Sequence, residues 1–200
     1  MSVTDGEVFD PRGVLAALDR NYVNYVVIGG LARVIRGTDE ITHGVDVCPG
    51  LRFENLDRLE QALVELEARR ADRRRLVVDE DTFAGERVLD LRTTFDELKV
   101  IAEPAGTRRG FEDLRRAATR EHIGEGLRPR VASVADLARM SAAMAHEREL
   151  SGPSGRESVR EVERLRQLEI EHSRELRRIL EVEVSMQQTL GRTREIGMDM

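Results

Sequence analysis

The chain has 200 residues, enough for roughly one domain with a buried hydrophobic core. Apolar residues make up 40% and charged residues 35%, and 32 basic against 38 acidic residues give a net charge of −6, which excludes a disordered chain and a basic nucleic-acid coat protein. No apolar run approaches the roughly 20 residues of a membrane span, and the N-terminal residues have no signal-peptide pattern. We therefore expect a soluble, cytoplasmic protein with no membrane partner.

The cysteine and lysine usage limits the chemistry further. Cys48 is the single cysteine, which excludes an intrachain disulfide and a cysteine-based zinc cluster. Lys99 is the single lysine, so 31 of the 32 basic residues are arginine. The planar guanidinium suits phosphate, but a GC-rich genome that favours arginine codons explains the same excess.

Hydrophobic periodicity predicts a small mixed α/β (α+β) protein with helices appended at its C-terminal side. In chain order we expect a short helix after Asp10, a strand over 23–28 ending at a Gly-Gly turn, a short helix over 31–36, a strand over 42–48, an amphipathic helix over 53–70, strands over 76–78 and 86–91, a helix over 111–120, a strand over 130–132, a capped helix over 137–146 and a long charged helix from 156. These elements suggest a core over 10–100, an accessory helical segment over 101–150, and a C-terminal helix with its tail over 156–200.

The turn between the first strand and the next helix is the first candidate site. Gly29 and Gly30 let a phosphate approach the backbone, and the helix N-terminus that follows offers free N–H groups to an anion. A plain left-handed turn between strand and helix requires the same glycines, so both interpretations stay open.

Two aspartates on strands form the second candidate site. Asp46 and Asp90 each lie on the face opposite the apolar residues of their strand. If the two strands are neighbours, the carboxylates can share a Mg²⁺ ion. Taken one at a time, each aspartate is better explained as a solvated surface residue.

Taken together, these motifs resemble the nucleotidyltransferase superfamily, in particular the minimal nucleotidyltransferases and AbiEii-type toxins of bacterial toxin–antitoxin systems. The resemblance covers about residues 20–165. It rests on the sequence VVIGGLA at 26–32, Arg36-Gly37, Thr42-x-Gly44-x-Asp46, VLDL at 88–91 and the segment at 126–140 that enters a helix.

The resemblance implies a nucleotidyltransferase-like core, an NTP substrate and Mg²⁺. The triphosphate would lie along Gly29 and Gly30, with phosphate contacts from Arg36 or Thr42. The metal ligands and catalytic residues would be Asp46 and Asp90. The implied mechanism is two-metal in-line attack of an acceptor hydroxyl, from a tRNA 3′ end or a protein, on the α-phosphate. A cognate antitoxin protein is the implied partner.

The sequence departs from the family pattern at three places. Gly44 stands where the family has the first Asp of its pair, and Ser141 stands near the position of a family lysine. A further family Asp would fall near Ser158, where Glu157 and Glu161 are the closest acids. Three explanations stay open. The chain is an inactivated transferase, or it is a decayed pseudo-enzyme that acts as a binding protein through its C-terminal helix, or nearby acids such as Glu157 replace the missing carboxylate.

Arginine clusters supply the remaining candidates. If the transferase interpretation holds, the acceptor is expected to bind one of two arginine clusters: Arg108, Arg109, Arg115, Arg116 and Arg120, or Arg69, Arg70, Arg73, Arg74 and Arg75. Solvated helix ends paired with acids are the alternative. The long helix from 156 either packs on the core or pairs with a partner helix, as in a homo-oligomer or an antitoxin complex.

Overall fold

The computed structural model describes residues 11–151, 164–165, 167–168 and 171. The helices are α1 (Pro11–Arg20), α2 (Gly29–Ile35), α3 (Phe53–Glu65), α4 (Glu80–Gly85), α5 (Phe111–Leu114) and α6 (Val134–Ser151). The strands are β1 (Tyr25–Ile28), β2 (Gly44–Pro49), β3 (Arg69–Arg70), β4 (Val88–Arg92), β5 (Glu97–Ile101), β6 (Thr119–Arg120) and β7 (Arg130–Val131). The predicted α/β class with a mixed sheet is confirmed.

One seven-stranded sheet organises the described residues. Its strand order is β3-β4-β5-β2-β1-β7-β6. β2 is antiparallel to β1 and parallel to β5, and β5 is antiparallel to β4. β7 joins β1 in parallel, so the sheet takes strands from both the predicted core and the predicted accessory segment.

One face of the sheet, here called the covered face, carries the hydrophobic core. Strand residues such as Val45, Leu89 and Leu98 are fully buried there. α1 and α3 supply much of the rest of the core, with Leu15 and Leu59 fully buried. Burial of apolar side chains is the main favourable contribution to folding, which explains why the period-two and period-3.6 patterns locate most of these elements.

α3 is shorter than its predicted range of 53–70. The helix ends at Glu65 because Glu67 adopts the left-handed conformation, with φ of 49°. The amide of Ala68 then donates to the carbonyl of Leu63 at 2.9 Å, the bond that closes a Schellman-type helix end. The chain can therefore reverse and enter β3 at Arg69.

Other predicted ranges differ more strongly. Residues 76–78 are not a strand and lie in an irregular segment before α4. The predicted helix over 111–120 contains only the single turn α5, followed by β6. The sequence pattern did not predict β5, although this strand lies inside the sheet, between β4 and β2.

α6 begins at the predicted cap. The amide of Asp136 donates to the Ser133 hydroxyl at 3.1 Å, and that hydroxyl lies 2.8 Å from the Asp136 carboxylate. Of the predicted C-terminal helix over 156–200, only five residues are described; Leu165 is buried in the core and Arg164 pairs with Asp39. Among the described helices, none is long and apolar enough to cross a membrane.

Candidate functional site

The Gly-Gly turn and Asp46 are in direct contact. β1 ends at Ile28, which is the register partner of Asp46 on β2. Gly29 has φ of 66°, and a Cβ added there would lie 1.9 Å from Oδ2 of Asp46. Position 29 therefore needs glycine both for its backbone conformation and for the space that the carboxylate occupies.

Gly30 packs in the same way against Thr42. A Cβ at position 30 would lie 2.8 Å from the Thr42 hydroxyl oxygen. That hydroxyl donates to the carbonyl of Gly44 at 3.3 Å. The structure therefore brings together four of the sequence-predicted site residues: Gly29, Gly30, Thr42 and Asp46.

The Asp46 carboxyl has a mixed electrostatic environment. Its side chain is half-buried, and burial raises the pKa of the carboxyl above its ordinary value. The positive charges of Lys99 and Arg33 lower this pKa, and the Asp90 carboxylate raises it. Neither cation is among the site residues predicted from the sequence.

Lys99 separates the two predicted metal ligands. β5 lies between β2 and β4, and Lys99 is the register partner of both Asp46 and Asp90. The Lys99 ammonium lies 3.6 Å from Oδ1 of Asp90. The strands of the two aspartates are thus not neighbours, and their backbones are separated by two strand spacings, or about 9.5 Å. We call these three residues the charge row.

A second row runs beside the charge row on the same face, here called the open face. It consists of Gly44, Glu97 and Arg92, again as successive register partners. A Cβ at Gly44 would lie 3.3 Å from the carbonyl oxygen of Glu97, so a side chain there requires the neighbouring backbone to shift by a few tenths of an ångström. Gly44 therefore leaves the first position of the expected aspartate pair without a carboxylate.

These residues do not fit the predicted pair of Mg²⁺ ions. Magnesium needs clustered oxygen ligands, and no group of three or more His, Cys, Asp or Glu side chains in the described part of the chain is arranged to hold a metal. The position beside Asp46 on the neighbouring strand carries the fixed positive charge of Lys99.

Arg33 lies close to the predicted site but is bound to an acid. Its guanidinium donates to both carboxylate oxygens of Glu40, at 2.8 and 2.7 Å. The Thr38 hydroxyl donates to the same carboxylate at 2.7 Å. These contacts and burial act on Glu40, whose pKa is lowered overall by the arginine and the hydroxyl against the opposing effect of burial.

Arg36, a predicted phosphate contact, connects two parts of the fold. Its guanidinium donates to the carbonyls of Ala132 and Val131 at 2.9 and 2.8 Å, and to Glu121 at 2.6 Å. A further bond reaches the Thr119 hydroxyl at 2.8 Å. The side chain is 13% exposed, and its contacts fasten α2 to the edge formed by β6 and β7.

The predicted acceptor-binding arginines lie at the other end of β2. Phe111, in the middle of their segment, is within 3.4 Å of a Cβ placed on Gly50, and β2 separates Gly50 from Gly44 by about 20 Å. Arg115 pairs with Glu112 at 2.6 Å and Arg109 with Asp113 at 3.6 Å. The structure does not bring Arg108, Arg109, Arg115 and Arg116 together with the Gly-Gly turn.

Cys48 follows Asp46 on the same strand but offers no nucleophile. The residue is fully buried, and burial raises the pKa of its thiol to about 12. A neutral thiol is a poor nucleophile at physiological pH. The carboxylates and cations of the open face therefore remain the candidate functional groups.

Comparisons with known proteins agree with the fold. No protein-family model matches the sequence, and no curated protein is similar to it. The solution structure of the antibiotic-resistance factor ANT(2'')-Ia is similar to this chain with a TM-score of 0.50 and 17% identity, covering 88% of this chain and 95% of that one. The crystal structure of TM1012 from Thermotoga maritima, a candidate nucleotidyltransferase, has a TM-score of 0.45 and 17% identity, covering 84% of this chain and 99% of that one. The chain therefore has a nucleotidyltransferase-like fold.

Proposed function

We propose that this chain is a nucleotide-binding protein built on the nucleotidyltransferase-like fold and that it does not perform two-metal nucleotide transfer. Nucleotide transfer is the chemistry associated with the fold, and the Gly-Gly turn packs against Asp46 and Thr42, which brings four of the predicted site residues together. The observation that carries the proposal is Lys99, which stands beside Asp46 on the neighbouring strand.

Lysine in this position opposes metal binding for an electrostatic reason. A fixed positive charge beside Asp46 repels a divalent cation and neutralises the carboxylate that would attract it. β5 is hydrogen-bonded on both sides, to β2 and to β4, so the backbone of Lys99 cannot withdraw from the row. With Gly44 in the first aspartate position, the site has one carboxylate where the resemblance implies several.

The same lysine favours a metal-independent contact with phosphate. An ammonium group is a compact donor that binds phosphate as a point charge. Lys99 is half-exposed on the open face. We expect it to exchange its contact with Asp90 for a phosphate of a bound nucleotide, so that nucleotide affinity does not require Mg²⁺.

Isothermal titration of ATP and GTP, each with and without Mg²⁺, tests the proposal. The wild-type chain should bind with an affinity that Mg²⁺ changes less than twofold, and Lys99→Met should weaken binding several-fold. The double variant Gly44→Asp with Lys99→Asp should instead bind nucleotide only with Mg²⁺, since it places two further carboxylates beside Asp46 and removes the lysine charge. Arg58→Met, an exposed position on α3, is the matched control for loss of a single positive charge.

A transfer assay supplies the result that would overturn this proposal. Labelled NTPs are incubated with the wild-type chain, Mg²⁺ and either tRNA or a protein extract. Transfer of label by the wild type, abolished in Asp46→Asn, would establish a catalytic site despite Lys99 and favour the toxin-type function with its tRNA or protein acceptor. The antitoxin partner and a homo-oligomer through the C-terminal helix stay predictions.

A further inference from the structure

A strongly basic cleft lies at the edge of the sheet, away from the Gly-Gly turn. It has a volume of about 810 Å³, and we call it the arginine pocket. Its arginines are Arg69, Arg70, Arg73, Arg74 and Arg92. Glu67 is the one acidic residue that lines it. A cleft this basic is unexpected on a chain with a net charge of −6.

Two of these arginines are placed directly opposite each other. Arg69 on β3 and Arg92 on β4 are register partners. Like charges at opposing positions of an antiparallel pair destabilise it. Within the described residues, neither guanidinium forms an ion pair, although Glu97 is the register partner of Arg92 on its other side.

Two other arginines of the pocket, Arg70 and Arg74, are paired with acids. Asp72 accepts hydrogen bonds from the guanidinium groups of Arg70 and Arg74, each at 2.7 Å. Glu86 pairs with the same two arginines at 2.7 Å. Two acids thus neutralise two arginines and leave the charges of Arg69, Arg73 and Arg92 unpaired among the described residues.

The turn also holds Arg73 in a fixed conformation. Arg73 has φ of 62°, a left-handed conformation that residues other than glycine seldom adopt. Hydrogen bonds from the Arg73 amide to the carbonyl of Arg70, at 3.1 Å, and from the Arg74 amide to Asp72, at 3.0 Å, maintain it. Strained residues of this kind persist where the surrounding structure fixes them.

From these contacts we propose that the arginine pocket binds the phosphodiester backbone of a nucleic-acid strand. Three guanidinium groups that are unpaired among the described residues line this cleft and can donate to phosphate, and about half to two-thirds of protein–DNA hydrogen bonds go to phosphate and sugar. The cleft is larger than one phosphate group requires. The inference is independent of the proposed nucleotide site, because it uses none of the charge row.

Fluorescence anisotropy of the full chain with labelled 20-nucleotide single-stranded RNA, and with DNA of the same sequence, tests this inference. Binding to the wild type should weaken at least tenfold in the double variant Arg69→Gln with Arg92→Gln. The matched control, Arg58→Gln with Arg128→Gln, removes the same charge at exposed positions outside the pocket and should change the affinity less than twofold. The RNA and DNA arms decide which strand is preferred.

The salt dependence gives a second readout. Loss of two phosphate contacts should reduce the slope of log affinity against log salt by about 1.4, at about 0.7 for each contact with a single strand. Arg69→Lys with Arg92→Lys keeps the charge and should retain most of the affinity, and circular dichroism of each variant establishes that it is folded. Three results would overturn the inference: no binding by the wild type at 50 mM salt, equal loss in the control pair, or displacement of RNA by ATP at equal phosphate concentration.

Discussion

The two faces of the sheet use the same strands in opposite ways. On the covered face, Leu89, Leu98 and Val100 are fully buried beneath helices. On the open face, the residues between them, Asp90 and Lys99, are exposed and charged. Adjacent positions along one strand therefore differ in whether they determine stability or chemistry.

The comparison also shows that the two faces depend on register to different degrees. Any apolar side chain of suitable size can fill a covered position, because hydrophobic contact has no direction. The electrostatic effect of a charge on the open face depends on its cross-strand partners, which for Lys99 are Asp46 and Asp90. The pattern of apolar residues is enough to predict the covered face, whereas predicting the open face also requires the strand order.

The largest effect is expected on the covered face. Leu98→Ala should lower the free energy of unfolding by about 2–5 kcal/mol, because it removes buried methyl groups in the centre of the sheet and leaves a cavity. Urea denaturation measures the change. Lys99→Met, one residue further along the strand, is the control and should change stability by less than about 1 kcal/mol. Equal losses in the two variants would contradict the division between the faces.

A somewhat smaller effect is expected at Arg36. Arg36→Met should lower the free energy of unfolding by about 2–3 kcal/mol, because the carbonyls of Val131 and Ala132 lose a charged donor. Thermal denaturation compares it with Arg58→Met on the exposed side of α3. If Arg36→Met instead weakened nucleotide binding while its melting temperature stayed unchanged, the predicted phosphate contact would be supported over the structural role.

The smallest effect sharpens the comparison within the open face. The folded-state pKa of Asp46 lies above 3.8, chiefly because of burial, so folding favours its protonated form. The stability that this group contributes is fully present below pH 3.8 and is lost as the pH rises through the folded-state pKa.

Asp46→Asn should therefore be more stable than the wild type at pH 7, by less than the two losses above, and the difference should vanish at low pH. Urea denaturation at pH 7 and at a pH below 3.8 measures it. A variant that is less stable than the wild type at pH 7 would show that the ionised carboxylate makes contacts that outweigh its burial.

Local patterns predicted much of the fold. The strand before Gly29, the strand of Asp46 and the cap at Ser133 follow from period-two alternation, glycine placement and capping chemistry. The Gly-Gly turn contacts Asp46 because β1 and β2 pair in antiparallel register. The sequence predicted both strands in chain order, but it did not predict this register.

The sequence patterns did not predict β5, and therefore did not predict that Lys99 lies beside Asp46. Leu98 and Val100 alternate with charged residues, which is the pattern of a half-buried strand, but the pattern extends over only a few residues. Its insertion between β2 and β4 is a long-range arrangement that no local pattern contains. For the same reason the sequence could not foresee that Arg36 would reach carbonyls 95 residues away.

The parallel pairing of β1 with β7 has a consequence for synthesis of the protein. Val27 meets its partner Val131 only after more than a hundred further residues have been added, which takes about 5–20 s at ribosomal speed. During that interval one side of the apolar strand β1 has no hydrogen-bonding neighbour, and exposed strand edges recruit other chains. The nascent protein therefore passes through a stage in which the apolar strand β1 has an unpaired edge, which β7 later covers.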